Sequence, residues 1–132
     1  MLNEQNIQAA LAVERKMYTA LCDLIEITSD LSNALSRQDQ VSFQLFLGMR
    51  QDSINLLSDY RDTLKKQCNS LSPQDGDILR KLLSGVDVPQ NFNTKQLVDQ
   101  VNRNQALLNR AIQSDRFINQ RLCGKKSFYS HE

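Results

Sequence analysis

Between residues 97 and 122 the chain repeats a spacing of four and three residues through Leu97, Val101, Asn104, Leu108, Ala111, Asp115, Ile118 and Leu122. Side chains three and four apart share one side of an α-helix, so this ladder is a seam built to meet another helix. That helix belongs either to this chain or to a partner. Leu107, Ile112 and Phe117 widen the apolar surface beyond the seam. Asn104 and Asp115 interrupt it with polar groups, and a buried amide costs stability unless paired, yet fixes register or partner orientation. Asn104 is thus either a rim position open to water or a recognition residue.

Similar ladders account for the rest of the chain. Residues 3–36 lack Pro and Gly, and Met17, Leu21, Leu24, Thr28, Leu31 and Leu35 step by four and three, with Ile7 and Ala10 extending the line. This predicts one helix about 50 Å long at about 1.5 Å per residue. Arg37, Gln38 and Asp39 read as a tight corner with Asp39 as the next N-cap, and a second helix is expected over 40–69. Val41, Phe43, Leu45 and Leu47 alternate as a strand would, but a lone strand has nothing to pair with, so helix is preferred. Apolar residues on several sides of that start predict cover from a third helix. Ser72 and Pro73 open a short helix over 73–84 with Gly85 at its C-terminal cap, and Thr94 is the expected cap of a last helix over 95–123, ended by Gly124.

The expected architecture is all-α: an antiparallel helical bundle with two long N-terminal helices, a short third helix and a long C-terminal helix. With 132 residues and 40% hydrophobic content, one domain over 1–124 is expected, followed by a flexible tail over 125–132. No stretch has the length and apolarity of a membrane span, and the N-terminus lacks the pattern of an export signal. Cys22, Cys68 and Cys123 are odd in number and far apart, which points to a reducing, cytoplasmic setting.

Reactive groups are scarce. The single histidine, His131, is next to last, and the glutamates at 4, 14, 26 and 132 make no Glu-x-x-His pair. Four scattered glycines build no phosphate loop. Neither catalysis nor a cofactor or metal is expected. Net charge runs from −3 over residues 1–36 through +1 over 37–72 and −1 over 73–94 to +4 over 95–132. Arg103, Arg110 and Arg116 raise nucleic-acid binding as an option, but no aromatic residues interleave with them for stacking, and a solvated face is favoured. The basic last helix is also suited to lie near the acidic first one.

The long first helix ending at Leu35 and turning through Ser36, Arg37, Gln38 and Asp39, together with Asn104, Leu107, Leu108, Phe117, Ile118, Leu122, Gly124 and Tyr129, resembles the FlgN-like flagellar type III export chaperones. The resemblance implies a cytoplasmic protein without enzymatic activity that keeps hook-filament junction proteins soluble and export-competent by binding their helical termini. It places client contact on Leu97, Val101, Leu108, Ile112, Ile118 and Leu122, beside which the polar seam residue Asn104 and the widening Phe117 are candidates from the pattern itself. The near-neutral charge and the extra short helix depart from the family's pattern. A helical adaptor or a homodimeric scaffold is the alternative.

Overall fold

The computed structural model describes residues 2–85 and 91–125, the last five by their backbone alone. They form α1 (Glu4–Ser36), α2 (Gln40–Asn69), α3 (Pro73–Leu83) and α4 (Phe92–Lys125), with no strand among the described residues. The alternating residues at the start of α2 are helical, because α1 offers them an apolar stripe and no strand edge. Phe43 is fully buried there against Leu31, Ala34 and Leu35.

Local chemistry sets the helix ends. Asn3 caps α1 by accepting from the Asn6 amide at 2.8 Å, while Asn6 Oδ1 accepts from the Asn3 amide. Asp39 caps α2, accepting from the Ser42 amide at 3.1 Å, and these Ser42 hydrogen bonds hold its carboxyl below the usual range. Ser72 caps α3 ahead of Pro73. Gly85 adopts φ +83°, the left-handed conformation that closes α3. The start of α4 differs from the expected one: Asn91, not Thr94, is the cap. The Thr94 amide donates to Asn91 Oδ1 at 3.0 Å and the Asn91 amide to Thr94 Oγ1 at 3.1 Å, a reciprocal box that starts the helix at Phe92. The far end also differs, since the helix runs through Gly124 to Lys125. The connector residues 86–90 and the expected tail from 126 onward lie outside the described residues.

The bundle is up-down-up. Gln8 of α1 donates to Asn93 in the first turn of α4 at 3.2 Å, and Ile118 near the far end of α4 packs with Leu31 and Leu35. The first and last long helices are therefore parallel, with α2 antiparallel to both. Because α1 packs along both, it carries most of the core: Leu11, Leu21, Leu31 and Leu35 are all nearly inaccessible. One core cluster joins Ile7, Leu11, Leu64, Cys68, Leu79 and Leu97 at the lower end, and another joins Leu31, Leu35, Phe43 and Ile118 at the upper end.

α3 sits at the lower end, beside the C-terminus of α2 rather than its start. Gly76 makes this possible, since a Cβ there would lie 2.8 Å from the Cys68 carbonyl oxygen. Arg80 fastens the same corner, donating to Asn69 and Asp77, each at 2.9 Å. α3 therefore does not cover the start of α2, where Ile118 of α4 joins Phe43 in the core while Val41 is 83% exposed. Its apolar outer residues had suggested such cover; only the face bearing Phe43 meets the core.

Candidate functional site

Two of the three long-helix interfaces are closed, and the third is open. α2 and α4 both pack on α1 but scarcely touch each other, leaving a groove whose floor is α1. Its lower part is a cavity of about 580 Å³ lined by Met17 and Leu21 of α1, Leu57 and Leu64 of α2, Leu83 of α3, and Val101 and Leu108 of α4. Its upper part, about 390 Å³, is lined by Leu24, Ile54, Ala111 and Ile112. Leu57, Arg61 and Leu108 border both parts, so they form one continuous channel. From Arg50 to Asn69 it follows α2 for about 28 Å at about 1.5 Å per residue.

Each end is closed by charge. At the upper end the Arg50 guanidinium donates to Asp115, joining α2 to α4 across the opening. At the lower end Arg80 and Leu83 of α3 stand between the long helices. Among the described residues, Arg61 and Lys65 on the α2 rim form no ion pair, and both are exposed.

Asn104 is 4% exposed, which overturns the rim reading. Its Nδ2 donates to Glu14 Oε1 at 2.7 Å and to the Glu14 carbonyl at 2.8 Å, while its Oδ1 accepts from Gln100 at 3.1 Å. Glu14 is itself 5% exposed. Burial pushes its carboxyl pKa up, against the smaller lowering effect of the Asn104 hydrogen bond. This polar tie is the register pin between α1 and α4, and it lies in the wall of the groove.

The seam residues divide. Val101, Asn104, Leu108 and Ile112 line the groove. Leu97 and Ile118 are buried in the two core clusters. Phe117 is 57% exposed on the opposite flank of α4, beside Ile25 and Ser29 of α1. The side chain of Leu122 lies outside the described residues. Most of the groove comes from residues outside the α4 ladder, among them Leu57, Arg61 and Leu64 of α2, and Glu14 of α1. Glu14 had a legible signal, because it stands between Ala10 and Met17 in the spacing of the α1 seam.

Arg103, Arg110 and Arg116 are exposed, and the seven- and six-residue steps between them put Arg116 on a different side of the helix from the other two. Cys68 is a buried thiol whose pKa is raised by desolvation, a packing element. Among the described residues no three potential ligands gather as a metal site, and no helix is long and apolar enough to cross a membrane. No protein-family model, curated protein or solved structure matches this chain.

Proposed function

We propose that this chain is a non-enzymatic, cytoplasmic helix-binding protein of the FlgN-like kind, whose groove between α2 and α4 takes an amphipathic helix from a hook-filament junction protein. The observation that carries the reading is the channel itself, about 28 Å long and floored by leucines, a length of about five helical turns. A helix laid in it would cover the half-buried Leu57 and Leu108 and would hide its own apolar stripe, which is otherwise prone to aggregate. The residues assigned to client contact are Leu57, Leu108 and Ile112. Leu97 and Ile118 support the groove from within the core. No cofactor or nucleotide takes part.

Light scattering tests this. Equimolar purified chain should suppress the aggregation of a warmed hook-filament junction protein, and the double variant Leu57→Asp/Leu108→Asp should lose that protection while keeping its helical circular dichroism. A wild-type chain that leaves scattering unchanged contradicts the chaperone reading.

A further inference from the structure

We infer that the helix bound in this groove carries acidic side chains along the border of its apolar stripe that faces α2. The inference rests on the groove reading above and specifies the chemistry of its partner.

The charge balance of the lining supports it. Among the described residues six charged groups line the channel: Glu14, Arg50, Arg61, Lys65, Arg80 and Asp115. Arg50 and Asp115 neutralise each other, and Arg80 is engaged by Asp77. Glu14 lies beneath the surface with one oxygen on Asn104, and burial disfavours its anion. Among the described residues Arg61 and Lys65 remain as two cations without an ion pair, four residues apart and therefore one turn apart on the same rim. The α4 rim opposite them offers Gln105 and Leu108, with no charge of its own at that level. An occupant must thus match an apolar floor, a cationic rim and a neutral rim together. Asp or Glu at positions four apart, flanking a leucine stripe, meets all three. A phosphate backbone meets the cations but leaves the leucine floor unsatisfied, and a basic amphipathic helix meets the floor but is repelled by the rim.

Two labelled helical peptides with the same leucine stripe, one flanked by Glu and one by Lys, supply the test by fluorescence anisotropy at low salt. The Glu-flanked peptide should bind about tenfold more tightly or better, as expected for two partly exposed charge pairs. The double variant Arg61→Glu/Lys65→Glu, altered at exposed positions, should keep its melting curve and reverse that preference. Equal affinities that both vanish in Leu57→Asp/Leu108→Asp would overturn the acidic border and leave the helix groove standing. Peptide binding that survives Leu57→Asp/Leu108→Asp would overturn both. Failure of the Glu-flanked peptide to bind, tighter binding of a single-stranded DNA oligomer, or a wild-type dimer that the leucine double variant makes monomeric would also overturn the inference.

Discussion

The α1–α4 and α2–α4 interfaces use the same two kinds of material, leucine-rich stripes and a polar tie partway along the helices, and come out opposite. Between α1 and α4 the stripes close, and the tie, Asn104 on Glu14, is sealed from water. Between α2 and α4 the stripes stand apart, and the tie, Arg50 on Asp115, spans the gap with side chains 25% and 35% exposed. The first interface is paid for by burial of both helices. The second leaves apolar surface that the chain's own fold does not use, which is why the groove and not the core is the functional candidate.

The largest contrast should come from placing a carboxylate on each side of this divide. Ile118→Asp buries an unpaired charge in the upper core and should cost about 3–5 kcal/mol, seen as a large fall in the urea midpoint. Leu108→Asp, on the half-buried groove wall, should cost about 1 kcal/mol. Comparable losses would erase the distinction.

The sealed tie comes next. Asn104→Leu strands the Glu14 carboxylate and should destabilise by about 1–3 kcal/mol, while Glu14→Leu/Asn104→Leu should recover most of that loss. The Glu14 carboxyl also predicts a pH dependence. Its folded pKa is raised above the ordinary 4.5, so the folded chain holds the proton more tightly than the unfolded one. That contribution is complete below the ordinary value and is lost as pH rises through the raised one. Glu14→Gln should therefore gain on the wild type over that window, in paired denaturation curves across pH.

The smallest effect belongs to the exposed tie. Arg50→Ala should cost no more than about 1 kcal/mol and should weaken further dependence of stability on salt. A loss as large as that of Asn104→Leu would mean that α2 and α4 form a closed interface after all.

Periodicity carried most of the fold, because three long ladders and a short one, separated by Asp39, Ser72-Pro73 and Gly85, leave few ways to draw the helices. It was less informative about which ladder faces which. Val41 and Leu45 looked like contact residues because apolarity alone cannot tell a covered face from a bare one. Asn91 was passed over as a cap because Thr94, three residues later, is an equally good capping type, and only the reciprocal hydrogen bonds assign their roles. The groove was half visible. Leu108 and Ile112 lay in the α4 pattern, but the separation of α2 from α4 follows from how tightly each packs on α1, and no single ladder encodes that. Glu14 is legible as a lone acid in an apolar seam, but its role is defined only by Asn104 opposite it.

Site-specific photo-crosslinking gives the most direct test of the groove as the client site. A photoreactive amino acid at Leu57 or Leu108 should form an adduct with a hook-filament junction protein, while the same group at Asp23, exposed on α1, should not. Adducts at Asp23 as abundant as those at Leu57, or none at Leu57 and Leu108 from a complex that does form, would contradict the account.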